Sequence, residues 1–474
     1  MKLVAGDFLP DLPDFGSPGL SKATNLYPSS FGYRPVGEFL AHTDPLPAPC
    51  RGASAFVAPS GRVVFIAGTA DKLYRQDGIG WAEIGSGYTL RDTDRWRFVQ
   101  FGTLAIVTNY NDPPVKINLD TDVVSPLGGT PPKMQALAVV NNFVVGTQTN
   151  GSVSQVAWSG ENDAEYWTPA SRKSDYNDFP DGGEVTGIIG GEVGLILQRN
   201  AVRRMAYVGG NLLFRFDKIS SNIGCATVHS VAQHGELAFW WSDNGFMMWD
   251  GSTIRPIGFE RVNRSFASGN GVLNYNIMST AIDGEKNTVV WSIGQAMWVY
   301  NWVLDKWSTI SHRAEIITTR LTDAPSLEEQ DDVVGAPDDN IDEGGLITLD
   351  AARFRAGDPQ FFVFTDAEVG TFAGDNKEAV IAGRMMELVE GVDAHLTRLR
   401  PMTDATAGIT ARIETTQRLG DLPVRRDYMA LRDSGEMPVR TRGRFVKTWL
   451  TVAEGQDWTY IQGADVTLRA GGRR

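Results

Sequence analysis

Five histidines and two cysteines carry the widest chemical repertoire in this 474-residue chain, and their spacing assigns them none of the common reactions. His42, His229, His234, His312 and His395 form no HExxH pair. His229 and His234, five positions apart, do not share the helical face that two ligands to one zinc ion need. Cys50 and Cys225 are too few for a disulfide framework or a thiolate cluster, and they suit folding in a reducing cytoplasm. There is no Walker loop and no Gly-x-Ser-x-Gly elbow. The glycines of "GIGWAEIGSG" (78–87) lack a following helix and a lysine, so they read as turn residues. No catalytic residue, cofactor or metal is expected.

Two stretches come near a known site and miss it. Asp338, Asn340 and Asp342 alternate oxygen ligands as a calcium loop does. Glu343, however, stands where that loop needs glycine, and Leu349 where it needs the bidentate acid. "SDNGFMMW" (242–249) shares its composition with the Ser-x-Asp-x-Gly-x-Thr-Trp box of sialidase-like propellers. Here Ser242 adjoins Asp243, the threonine is missing and Trp249 falls one residue late, which leaves a hairpin and not the motif. Glycoside cleavage by two carboxylates distant in sequence stays open, but no pair is singled out.

Charge is distributed unevenly. Net charge is −13, and Asp323, Glu328, Glu329, Asp331, Asp332, Asp338, Asp339, Asp342 and Glu343 stand between 321 and 344 without a single Lys or Arg. Such a run reads as a solvated loop or a partner-facing segment. Residues 391–474 carry fourteen basic and ten acidic side chains, an excess too small for a nucleic-acid footprint.

The elements that must hold these residues are short strands. In "ELAFWWSDNGFMMWDGSTIRPIG" (236–258), Asp243-Asn244-Gly245 and Asp250-Gly251 are hairpin turns, because Asn and Gly tolerate positive φ. The runs between them are too short for helices, and Trp240, Trp241 and Trp249 read as core. The same meander recurs at a period of ~40–50 residues, anchored at Trp81, Leu127, Trp167, Phe214, Ile257 and Trp307. The pattern predicts an all-β fold, a β-propeller of six or seven irregular blades, with 345–372 as the seventh unit.

Residues 1–53 hold little periodicity and read as an extended N-terminal arm. Its aromatic anchors Phe15, Tyr27, Phe31 and Tyr33 would lie against the chain's own domain or a neighbouring subunit. The expected order is therefore arm (1–53), propeller (54–320), acidic loop (321–344), then last blade and C-terminal β domain (345–474). "ITARIETTQ" and "GRFVKTWLTVAEGQDWTYIQGADVTLRAGG" supply strands of a small sandwich-like extension, and "NKEAVIAGRMMELVE" (376–390) fits neither helix nor strand. No apolar run approaches the ~18–20 residues that span a bilayer. "MKLVAGDFLPDLPDFG" lacks the apolar centre of a secretory signal.

Three segments together, "PDLPDFGSPGLSKATNLYPSSFGYRPV", "WSDNGFMMWDGSTIRPIG" and "GRFVKTWLTVAEGQDWTYIQGADVTLRAGGRR", resemble bacteriophage tail nozzle proteins. These are also called tail tubular or packaged-DNA stabilisation proteins of short-tailed phages. The likeness runs over nearly the whole chain as a pattern, through loose motifs. It implies a non-enzymatic structural virion protein, made in the bacterial cytoplasm and placed in the virion tail as a homo-oligomer, a hexamer. Its implied partners are the portal-adaptor (head-to-tail) proteins, tail fibre or tail needle proteins, and double-stranded DNA that passes without sequence recognition. On this reading the arm docks on a neighbour or on the adaptor. The nine acids face the lumen, where they repel sliding phosphates. The alternative is a glycan-binding or glycan-cleaving propeller, which assembly state would distinguish. A generic protein-interaction propeller fits less well, since its repeats are usually more regular.

Overall fold

A computed structural model describes residues 1–210, 212–269, 274–321, 359–428, 431, 432 and 434–471. Among these residues, seven antiparallel four-stranded meanders build a β-propeller. Six of them are continuous in sequence, at 53–86, 97–126, 137–178, 185–220, 232–256 and 279–311. Turn chemistry sets their hairpins: Asn141 closes one with φ +54 and Asp305 another with φ +53, a region in which Asn and Asp are tolerated. Five of the six sequence anchors lie on or beside the outermost strand of their blades, which explains their spacing, and Trp167 lies in the connection between Gln155–Trp158 and Asp175–Asp178.

The seventh blade is discontinuous. Ile316–Leu321 is its inner strand, Pro359–Thr365 and Glu368–Asn376 follow, and Gly37–Ala41 pairs with Glu368–Asn376 to complete it. The propeller thus takes in residues 37–41, which precede the first blade, and the innermost strand lies before 345 and not within the expected seventh unit. Contacts between successive inner strands close the ring from Ile316–Leu321 back to Ala53–Val57.

Residues 1–35 are built into the chain's own C-terminal sandwich instead of extending from it. One sheet orders Leu26–Ser29, Gly32–Pro35, Ile461–Ala470, Ala394–Thr403 and Met437–Gly443, with Lys2–Val4 also on Ile461–Ala470. The other carries Lys22–Thr24, Ala379–Ala382, Phe445–Val452, Ile409–Thr416 and Val424–Tyr428. Lys22–Thr24 runs parallel to Lys306–Ser311, the outer strand of the sixth blade, and antiparallel to Ala379–Ala382, so blade and sandwich share one sheet. The undecided stretch 376–390 thereby resolves into Ala379–Ala382 and Met386–Glu387.

Charge-assisted bonds pin the arm in place. Asp11 accepts from the backbone N–H groups of Arg264 and Ser265 at 2.7 Å, at the start of the helix Asn263–Gly269. Buried Arg384 donates to the carbonyls of Leu9, Leu12 and Pro13, and Lys447 meets Asp14 at 2.9 Å. Tyr33 is buried and donates to Gly6 O at 3.0 Å, while Phe15 packs edge-on against Phe445.

A single apolar core joins blades five and six to the sandwich, from Trp241, Phe246, Trp291 and Trp307 to Leu26, Ile413 and Leu450. Phe246 lies 4.5 Å from Trp291 and 4.9 Å from Trp307, centroid to centroid. Pairs of this kind add ~0.5–1.5 kcal/mol each beyond area burial. Three indole N–H groups are satisfied across blade seams: Trp240 donates to Gly224 O, Trp291 to Ser230 O and Trp307 to Ile257 O, at 2.9–3.0 Å. Trp241 Nε1, by contrast, is buried without a hydrogen-bond partner among the described residues. Trp240, Trp241 and Trp249 are all buried, as core residues should be.

Candidate functional site: a cationic cavity on the propeller axis

The nine acids from Asp323 to Glu343, and Asn340 with them, lie outside the described residues. The side chains that do converge are basic, and they belong to the inner strands.

Arg95, Trp96 and Arg97 lead into Arg97–Phe101, the inner strand of the second blade. Trp96 is buried and donates through Nε1 to Thr69 O at 2.7 Å. Its ring rests so close to Gly68 that a Cβ there would sit 2.2 Å from Trp96 Cδ1. Trp96 is fixed by that contact, and Arg95 and Arg97 flank it. Both line a cavity of about 220 Å³ on the axis, together with His229, Gln233, Thr280 and Thr318. Among the described residues no carboxylate lines it.

The geometry fixes the proton arrangement. Arg97 Nη2 lies 2.6 Å from His229 Nδ1, and His229 Nε2 lies 3.3 Å from Thr93 O. A guanidinium only donates, so Nδ1 accepts and the imidazole proton sits on Nε2, donated to the Thr93 carbonyl. Burial first, then the positive charges of Arg97 and Arg95, push the His229 imidazolium well below the usual histidine range, leaving the ring neutral. Burial likewise pulls Arg97 down to about 10, and burial with the charges of Arg97 and Arg51 pulls Arg95 down to about 9. Both therefore remain cationic at neutral pH. Arg97 Nε is buried without a hydrogen-bond partner among the described residues. Thr280 donates to His229 O at 2.9 Å, locking the turn that carries the imidazole.

The remaining histidines are scattered. His42 Nε2 meets Thr371 Oγ1 at 3.0 Å, His312 Nε2 meets Thr365 Oγ1 at 2.8 Å, and His234 lies against Trp302. His395 sits in the sandwich strand Ala394–Thr403. Among the described residues no group of three or more His, Cys, Asp or Glu could hold a metal ion. Cys50 and Cys225 are buried, and burial pushes their thiols up to about 12 and about 11. In the box-like hairpin, Asp243 pairs with Arg199 at 2.9 Å. Asp250 accepts from the backbone and hydroxyls of Ser252 and Thr253, bonds that hold its carboxyl far below the ordinary range. Both acids there serve turns.

Sequence reasoning weighed His229 only as a metal ligand and passed over Arg95 and Arg97. The available signal was the Arg-Trp-Arg alternation at the start of an inner strand. A second concavity, about 450 Å³, lies at the outer edge of blades three and four and is lined by Trp158, Lys173, Asp175, Tyr176, Asn177 and Phe216.

No family model matches this chain, and no curated protein matches it. Similar solved structures include the extracellular domain of a B. thetaiotaomicron protein described as a hybrid two-component system. It is 12% identical with a TM-score of 0.44, over 84% of this chain and 48% of that one. Another, described as a one-component system of the same organism, is 13% identical with a TM-score of 0.42 over the same shares. This chain spans about half the length of those two structures. The β-propeller domain of Myceliophteria thermophila Cps50 (Swd1) is 7% identical with a TM-score of 0.38, over 60% of this chain and 92% of that domain.

Proposed function

We propose that this chain is a structural virion protein: the tail nozzle of a short-tailed phage, working as an oligomer below the portal and adaptor. In that role it retains packaged double-stranded DNA and conducts it during ejection, and it performs no catalysis. The observation that carries the reading is spatial. The three segments in which the chain resembles nozzle proteins are far apart in sequence yet converge on one body. Lys2–Val4 and Tyr33 of the arm pair with Ile461–Ala470 of the ending, and Asp11 binds the helix that follows the body hairpin. Leu26 of the arm, Trp241 of the hairpin and Ile461 of the ending share one core.

The axial cavity supports the oligomeric part. At about 220 Å³, and crossed by Arg97 and His229, it admits no duplex, whose major groove alone is ~12 Å wide. A conduit made from this subunit must run between copies. Negative-stain imaging tests the proposal, with the protein alone and mixed with particles from phage lacking it. Rings on the adaptor, or restored infectivity, support the nozzle.

A second reading, a glycan-binding or glycan-cleaving propeller, is favoured by the outer concavity with Trp158, Tyr176 and Phe216 beside Lys173 and Asp175. A monomer under both conditions that binds or digests polysaccharide overturns the nozzle and supports this alternative.

A further inference from the structure

We propose that the axial cavity is a binding site for a compact oxyanion, a phosphate or carboxylate group, received by Arg97 from its seat on His229. The inference is independent of the nozzle reading, because it rests on the cavity's own chemistry.

Sign comes first. Among the described residues the cavity gathers Arg95 and Arg97 with no carboxylate in its lining, and their sign favours an anionic guest. The donor inventory then narrows the ligand. Thr280 donates to His229 O, Thr318 to Ala53 O and Thr319 to Ile282 O. The Gln233 amide donates to Gly190 O and Gly235 O, and its oxygen faces Gly190 N. These hydroxyl and amide protons are spent within the protein, whereas Arg97 Nε is buried without a partner among the described residues. A neutral polyol would leave the guanidinium charge uncompensated, and a cation would be repelled. A planar or tetrahedral oxyanion matches the fork of N–H donors that a guanidinium presents.

Size agrees. About 220 Å³ falls below the ~300–1,000 Å³ of typical small-molecule pockets, enough for an inorganic anion or a short carboxylate. His229 is a positioning residue here. Its Nδ1 accepts one Arg97 N–H at 2.6 Å, which holds the guanidinium over the axis, and its Nε2 is tied to Thr93 O.

The test uses the full chain at pH 7.5 and constant ionic strength, comparing chloride with inorganic phosphate and with acetate. Wild type should gain thermal stability in phosphate, in acetate or in both, and the two arms tell which oxyanion is preferred. Calorimetric affinity for that anion should fall roughly tenfold or more in Arg97→Gln and partly recover in Arg97→Lys. Should Arg97→Gln not fold, a tungstate soak of wild-type crystals decides: an anomalous peak beside Arg97 supports the site. No specific gain in either anion, an unaltered affinity in Arg97→Gln, or tungstate only elsewhere overturns it.

Discussion

Acidification should unfold this protein along a slope set largely by His229. In the folded state both ring nitrogens are engaged, Nδ1 accepting from Arg97 and Nε2 donating to Thr93 O. A second proton would set an imidazolium against a guanidinium at 2.6 Å. The folded pKa is therefore depressed, while the unfolded histidine titrates near ~6.5. The sign follows from that order. Above ~6.5 the neutral ring contributes its full stability; below it the unfolded chain takes up a proton that the folded chain refuses, and stability falls until the folded pKa is reached. A full proton of difference is worth ~1.4 kcal/mol per pH unit, a limit approached only below ~6.5 where the unfolded ring is protonated and the folded ring still neutral. A loss on the order of 1–2 kcal/mol is therefore expected between pH 6.5 and 5.0. His312 is also depressed, by burial first and by Lys377 next, and adds a weaker slope of the same sign. His229→Gln isolates the larger contribution, since an amide can accept from Arg97 and donate to Thr93 without binding a proton. Urea unfolding followed by tryptophan fluorescence, every half unit from pH 7.5 to 5.0, should give a wild-type curve that steepens below pH 6.5 relative to the variant's, by up to ~1.4 kcal/mol per unit. Parallel curves would refute the neutral, doubly bonded imidazole.

Three further outcomes are expected. Gly370→Val should open the seventh blade, because a Cβ at Gly370 would meet Leu40 O at 2.1 Å; a loss of about 1–3 kcal/mol in thermal or urea unfolding checks it, with new proteolytic cleavage near residues 37–41. Trp291→Ala should cost ~3–5 kcal/mol in urea unfolding, since it removes a fully buried indole and orphans the Ser230 carbonyl. Cys50 and Cys225 should resist a disulfide thiol reagent at pH 8 in the folded protein and both react once it is unfolded. Their raised thiol pKa values stabilise the fold fully below pH ~8.5 and progressively less as pH rises through about 11 and 12.

The blades were legible because each is a local object. Asn244-Gly245 and Asp250-Gly251 place turns between runs that pair with their own neighbours, so a window of some forty residues contains the whole unit. Ring closure has no such window. Gly37–Ala41 pairs with Glu368–Asn376 from the far side of the chain, and nothing in "GEFLA" marks that partner. The arm looked extended for a related reason. Pro28 and Pro35 lack the N–H that a central strand needs, and they are accommodated where pairing is slight: Leu26–Ser29 is the last strand of its sheet, and Gly32–Pro35 meets Ile461–Ala470 only at Tyr33.

The cavity was hidden by the same non-locality. Arg95-Trp96-Arg97 alternates plainly, but a strand's alternation does not say which face turns toward an axis. That face becomes an axis only after six other blades have closed around it. The five-residue interval between His229 and His234 was judged as a helical spacing, whereas His229 sits in the turn Val228–Ser230 and His234 ends the strand Ala232–His234. Closure and site are thus linked physically. The strand that the arm lends to the seventh blade holds Ile316–Leu321 against Ala53–Val57, and Ala53 and Thr318 are walls of the cationic cavity. Loosening the arm should therefore be felt at Arg97, although no arm residue up to Ala41 lines the cavity.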